Sequence, residues 1–197
     1  MEWLGSGKPA IDFEIKEDEI PLMSDLWLLT NKKMMYVLNV REGMDEQQVK
    51  IWEEDLKSKV HNDSKDFIVC ADVKMIGELS MMNEQEKEEY LSMLDSKPNL
   101  LDEVVGCAYQ RLNLLTFYTG SEKEVNAWTI GKGATIKEGA GVIHTDLEHG
   151  FITADVVNVE KLIEVGGWVN AKEKGIVKNN SKTYLVQDGD YIIIYAN

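Results

Sequence analysis

The sequence predicts an α/β segment followed by a smaller α+β domain, and three patterns predict it. Two continuous apolar runs, Met34-Met35-Tyr36-Val37-Leu38 and Phe67-Ile68-Val69-Cys70-Ala71, each end in a polar turn, as strands buried on both faces of a parallel sheet do. Amphipathic helical patterns alternate with these runs. From about Leu115 the pattern shifts to short β-rich runs, closed by Gln187-Asp188-Gly189-Asp190, whose Asp-Gly step signals a hairpin.

Taken in order, the first strand is expected over Met34 to Leu38. Asp45 then caps a helix, with Gln48 placed to complete a capping box. Val49, Trp52, Leu56 and Val60 fall on one face of that helix. The second strand runs from Phe67 to Ala71. Asn83 and Glu86 form another capping box, opening a short helix through Leu94, and the acidic run Glu84 to Glu89 reads as its solvated face. Pro98 suits a first helical turn, after which Leu101, Val104, Val105, Ala108 and Leu112 line one side of a helix. Two strands are too few for an independent doubly wound domain. Beyond Leu115, strands are expected at Val125–Ile130, Gly150–Val157, Thr183–Val186 and Tyr191–Tyr195, with helical pieces around Ile136 to Val142 and Ala171 to Gly175. That content is consistent with a β-grasp arrangement.

Composition excludes several classes. With 44% hydrophobic and 28% charged residues over 197 positions, the chain reads as globular rather than disordered. No apolar run approaches the ~20 residues of a membrane span, and the Met1 segment lacks the pattern of a signal peptide. Cys70 and Cys107 sit in apolar stretches and read as buried thiols in a reducing cytosol, so a cytoplasmic location is expected. The net charge is −14, of which the part from Thr116 onward, with 8 basic and 11 acidic residues, carries −3. Neither part has the basic excess that sequence-independent phosphate binding needs, so neither DNA nor a membrane is expected as a partner.

Gly5-Ser6-Gly7-Lys8 is not a phosphate-binding loop. Pro9 follows the lysine, supplying neither N–H nor hydroxyl, and no strand precedes it, so it reads as a turn. Asn39-Val40-Arg41-Glu42 is more informative, because it ends a strand where doubly wound folds hold their ligands. Its amide can face a base, and its carboxylate can accept from base N–H donors. An ordinary Asn turn followed by an exposed Glu fits the same residues. Cys70-Ala71-Asp72, ending the neighbouring strand, can complete such a pocket or be a plain strand end. His61, His144 and His149 show no metal-ligand spacing, and His144 reads as support for a turn sooner than as a general base. The ending Tyr195-Ala196-Asn197 lacks the Gly-Gly of ubiquitin-like sulfur carriers.

Several stretches resemble one family. Leu114-Leu115-Thr116-Phe117-Tyr118-Thr119-Gly120, Glu124 to Ile130, Ala140 to Glu148 with Gly150-Phe151-Ile152, and Tyr184 to Asp190 look like the TGS domain of the YchF/Obg-like ATPases. Upstream, Trp3-Leu4 with Gly7-Lys8-Pro9 and Leu28-Leu29-Thr30 are similar to the stretch that leads into the family's base-reading strand. The resemblance implies the end of an inserted helical domain over 1–30, the C-terminal part of a P-loop NTPase G domain over 31–114, and a β-grasp TGS domain over 115–197. It implies that Asn39 and Glu42 contact the base and Val40 lies by the adenine, since the family's Asn-x-x-Glu goes with accepting ATP, GTP also being possible. Cys70 and Ala71 fall on the next base-pocket element, from which Asp72 departs in not being small. The phosphate-binding loop and the Mg²⁺-coordinating residues are expected upstream, in an N-terminal half that would be this chain's partner. The chain alone is then expected to be catalytically inactive, with no catalytic residue and no metal site of its own, and its TGS domain to dock on the ribosome or a ribosomal subunit. The alternative is a free-standing β-grasp module for protein or RNA without nucleotide function.

Overall fold

In the computed structural model the chain divides into two units, Met1–Arg111 and Leu112–Asn197. Residues 2–41, 43–61, 64–93, 100–120 and 124–197 are described.

The first unit opens with two short helices, α1 (Glu2–Gly5) and α2 (Ile20–Asp25). Gly5-Ser6-Gly7-Lys8 is a turn closing α1: Ser6 Oγ donates to the Trp3 carbonyl at 2.7 Å, and Lys8 Nζ lies 4.5 Å from the centre of the Trp3 ring. Strands β1 (Tyr36–Asn39) and β2 (Ile68–Ala71) pair in parallel, from Tyr36 opposite Ile68 to Asn39 opposite Ala71. Helix α3 (Glu46–Lys59) connects them, as a parallel pair requires. Asp45 does cap α3, but its carboxylate accepts the N–H of Gln47 at 3.0 Å. Side-chain capping at the second helical position replaces the expected box with Gln48.

The strands are not buried on both faces. β1 alternates half-buried and exposed residues, with Val37 41% exposed, because this sheet has two strands and the described helices cover it incompletely. Trp52, expected on the buried face of α3, is likewise exposed, whereas Val49, Leu56 and Val60 are half-buried.

A helix not anticipated from the sequence, α4 (Val73–Ser80), follows β2 directly, and Asp72 caps it by accepting the Met75 N–H at 2.9 Å. The expected Asn83–Glu86 capping box opens α5 (Glu84–Ser92). Leu94 and Pro98 lie outside the described residues.

Helix α6 (Leu100–Leu112) is rotated from expectation, with Leu101, Val105 and Leu112 exposed and Arg111 buried. Arg111 Nε donates to the Met34 carbonyl at 2.8 Å, and its guanidinium sits 4.9 Å from the Phe67 ring centre. A buried guanidinium must keep such partners, and satisfying them fixes the face α6 turns inward.

In the second unit a hairpin of β3 (Leu114–Gly120) and β4 (Val125–Gly131) leads to α7 (Ile136–Ile143) and α8 (Thr145–His149). Then come β5 (Phe151–Asn158), α9 (Val159–Glu164), α10 (Trp168–Glu173), β6 (Lys178–Asn180) and β7 (Asp190–Ala196). The five-stranded sheet runs β4-β3-β7-β5-β6, with β7 parallel to β3 and antiparallel to β5. Thr135 and Glu138 close a capping box on α7, whose Ile136 and Ala140 are fully buried. These join Leu115, Phe117, Ile130, Ala154, Val156, Val186 and Ile192 in one apolar core.

The expected hairpin between residues 183–186 and β7 is absent. Ile136 N–H donates to the Tyr184 carbonyl at 2.8 Å and Val186 N–H to the Ala134 carbonyl at 3.0 Å, so this segment pairs with the entry to α7. The Asp-Gly step is anchored elsewhere: Asp188 Oδ1 accepts the Thr116 N–H at 2.8 Å, and Gly189, at φ +79°, donates to the Thr116 carbonyl at 2.9 Å. The turn thereby feeds β7 into the sheet beside β3. Asp190, buried, accepts from Tyr184 Oη at 2.9 Å and from the Gln187 N–H at 2.8 Å. Among the described residues, no helix is long and apolar enough to cross a membrane.

Candidate functional site

The candidate site grows from the carboxyl ends of β1 and β2. In a parallel pair, carbonyls and helix N-termini gather at that edge, where open α/β sheets bind ligands. Val40 N–H donates to the Ala71 carbonyl at 3.0 Å, carrying the ladder one residue past β1. Asn39 Oδ1 accepts the Val73 N–H at 3.3 Å, tying the strand end to the first residue of α4. An Asn held by its oxygen presents its –NH₂ group as a donor.

Beside this junction lies a cleft of about 540 Å³, lined by Asn39, Val40 and Arg41 from the β1 end, by Asp72, Lys74, Met75 and Glu78 from α4 and its cap, and by Tyr90 from α5. Met75 and Tyr90 supply apolar surface, while Arg41, Lys74, Asp72 and Glu78 bring two charges of each sign. Such a cleft, mixed apolar and polar and a few hundred Å³ in size, suits a planar heterocycle with polar edges.

Of the residues anticipated as base-binding, Asn39 and Val40 line this cleft together. Ala71, wholly buried, sits opposite Asn39 and contributes its carbonyl to the Val40 N–H. Cys70 does not share the cleft. It lines a separate cavity of about 660 Å³ with Cys107, Glu53, Asp66, Asp102 and Glu103. Pleating explains the separation, since successive side chains of β2 leave opposite faces. Glu42 lies outside the described residues.

Sequence reasoning missed Lys74, Met75, Glu78 and Tyr90. The first three follow from α4, which the strand-end rule together with the Asp72 cap can locate; Tyr90 comes from a separate helix and carries no local signal.

The remaining reactive groups have structural partners. Cys70 and Cys107 are free, and burial pushes both thiols up, which keeps them protonated and poorly nucleophilic at neutral pH. His144 caps α8, its Nδ1 accepting the Asp146 N–H at 3.1 Å, and His61 pairs with Asp12. Among the described residues, no group of three or more His, Cys, Asp or Glu is placed to hold a metal ion.

Residues 114–197 match the family model YchF-GTPase_C, described as "Protein of unknown function (DUF933)". Over 193 residues the chain is 38% identical to the ribosome-binding ATPase YchF of Bacillus subtilis, covering 95% of this chain and 51% of that protein. It is 36% identical to Obg-like ATPase 1 of Caenorhabditis elegans, over 96% of this chain and 48% of that one. The solved structure of the Schizosaccharomyces pombe YchF GTPase superposes with a TM-score of 0.78 at 25% identity, covering 98% of this chain and 52% of that one. A GTP binding protein from Pyrococcus horikoshii shares the fold, with a TM-score of 0.52 at 18% identity. The chain spans about half the length of the relatives it matches. By sequence and by fold, the chain belongs to the YchF/Obg-like ATPase family and corresponds to the C-terminal part of its members.

Proposed function

We propose that this chain supplies the base-recognition half of an ATP-binding site, with GTP as a second ligand, together with a TGS interaction domain. Residues 31–114 act as the C-terminal part of a P-loop NTPase G domain, 1–30 as the end of an inserted helical domain, and 115–197 as a β-grasp TGS domain. The observation that carries the reading is the Asn39–Val73 hydrogen bond at the rim of the cleft. It holds Asn39 so that its amide –NH₂ can donate to N7 of a purine, with Val40 beneath the ring and Ala71 closing the floor. Glu42 accepts from the exocyclic amine, and Cys70 contributes through its backbone only.

Phosphoryl transfer depends on positioning the phosphates and Mg²⁺. Those roles belong, on this reading, to the N-terminal half of the family's G domain, so the chain by itself binds nucleotide weakly and hydrolyses none. Two relatives are named ribosome-binding ATPases. The same association, in the cytoplasm and through the TGS domain, is the proposed role of the second unit here.

The test is calorimetric titration with ATP of the chain alone and of the chain joined to the polypeptide encoded upstream of Met1. Strong binding and Mg²⁺-dependent turnover only in the joined protein support the reading. Robust turnover by the pure chain, or a joined protein indifferent to Asn39→Ala, defeats it.

A further inference from the structure

The two edges of the five-stranded sheet differ in protection. One edge, β6, is three residues long and begins with a lysine. Short, charged strands resist pairing with another chain. The other edge, β4, has seven residues, Val125-Asn126-Ala127-Trp128-Thr129-Ile130-Gly131, with neither a charge nor a proline among them. Val125 is 65% exposed, and Glu124 and Lys132, which flank the strand directly, are exposed as well.

The ladder to β3 fixes which backbone groups face outward. Lys132 N–H donates to the Asn113 carbonyl at 2.7 Å, one step beyond the Leu114–Gly131 pair. Antiparallel pairs alternate between hydrogen-bonded and non-hydrogen-bonded residues. Even-numbered residues of β4 therefore turn their N–H and C=O toward β3, and Val125 and Ala127 turn theirs to the open edge.

We propose that β4 is a self-association edge, on which two copies of this chain join β4 to β4, antiparallel about a two-fold axis at Trp128. That register sets Val125 of one copy opposite Gly131 of the other and brings outward-facing residues together. It also sets Glu124 opposite Lys132 at both ends of the ribbon. A slip of two residues either way breaks both ion pairs, and a slip of one sets outward-facing residues against inward-facing ones. The contact is isologous and closes on itself, so it yields a dimer and no fibre. A seven-residue ribbon buries less than the ~800 Å² per partner of a standard interface, so the dimer is weak and concentration-dependent.

Sedimentation equilibrium of the whole chain from micromolar to millimolar concentration tests this. The wild-type chain is expected to pass from monomer to dimer. Ala127→Pro removes an outward N–H and leaves the β3 ladder intact, so it should weaken dimerisation with an unchanged circular dichroism spectrum. Glu124→Lys and Lys132→Glu each set like charges opposite one another and should weaken it about tenfold, while the double exchange Glu124→Lys with Lys132→Glu should restore it. A chain monomeric at millimolar concentration overturns the proposal. So does a dimer indifferent to these variants, or a double exchange that fails to rescue.

Discussion

Asn39 and Val73 are joined by a 3.3 Å hydrogen bond from the Val73 N–H to the Asn39 side-chain oxygen, linking residues 34 apart in sequence. The same side chain thus serves the fold through its oxygen and is proposed to serve the base through its nitrogen. The two roles come apart by substitution. Asn39→Asp keeps an acceptor for Val73 and loses the amide donors, whereas Asn39→Ala loses both. In the protein joined to its upstream half, both should weaken ATP binding by about 1–3 kcal/mol, as expected for a buried polar group left without its partner. Only Asn39→Ala should also lower the melting temperature. Calorimetry and thermal denaturation on the same samples read the two effects separately, and equal loss of stability in both variants would remove the division of labour.

Asp72 accepts the Met75 N–H at 2.9 Å and starts α4 at the floor of the cleft. Asp72→Ala should cost about 1 kcal/mol in urea unfolding, and Asp72→Ser clearly less, in keeping with the preferences of helix N-caps. If Asp72 acts only as a cap, nucleotide binding by the joined protein falls no further than the lost order of α4 dictates.

Tyr184 makes the second unit sensitive to alkali. Burial, reinforced by its hydrogen bond to the Asp190 carboxylate, pushes the phenol from its ordinary 10.0 up to about 12. A phenol that ionises less readily in the folded chain gives its full stabilisation below pH 10, and loses it as the pH rises through about 12. Tyr184→Phe removes the titrating group, so its melting temperature should fall less steeply over that interval than the wild type's. Parallel slopes in the two proteins would contradict the placement of this phenol.

Asp155 answers to acid instead. Its carboxylate accepts from Asn179 Nδ2 and Tyr195 Oη, both at 2.9 Å, and lies 3.5 Å from Lys172 Nζ. The Asn179 hydrogen bond foremost, helped by Tyr195 and Lys172, holds the carboxyl below its ordinary 3.8. Its contribution is complete above pH 3.8 and fades as the pH falls through the depressed value. Asp155→Asn should therefore flatten the acid limb of the stability profile and leave the Tyr184 limb unchanged, which thermal melts across pH detect. An unaltered acid limb would discard the network.

Local chemistry written in the chain was read correctly where it acts locally. Asn83 and Glu86 make the box their spacing announces, and the Gly5–Lys8 run is a turn because Pro9 and the missing strand leave it nothing else to be. Failures came where distant residues decide. Arg111 overrides the apolar stripe of α6 because its guanidinium needs the Met34 carbonyl and the Phe67 ring. Tyr184 to Val186 has a strand's composition yet bonds to Ala134 and Ile136, and Thr116 rather than a hairpin partner claims the Asp188-Gly189 turn. Asn39 and Val40 were recognisable from their position after an apolar run. The opposite facing of Cys70 needed the pleat of β2, and Tyr90 needed the packing of a separate helix.

The place of β7 between β3 and β5 governs how the second unit comes into being. Translation delivers the β3–β4 hairpin and the β5–β6 pair first, yet neither pair touches the other until Asp190 to Ala196 slots in between them. A nascent chain stalled before that point holds two half-sheets with open inner edges, the species most exposed to premature pairing with neighbours. Nucleation of this unit is accordingly a late, long-range event, and its folding rate should reflect the wait for a keystone that synthesis provides near the end.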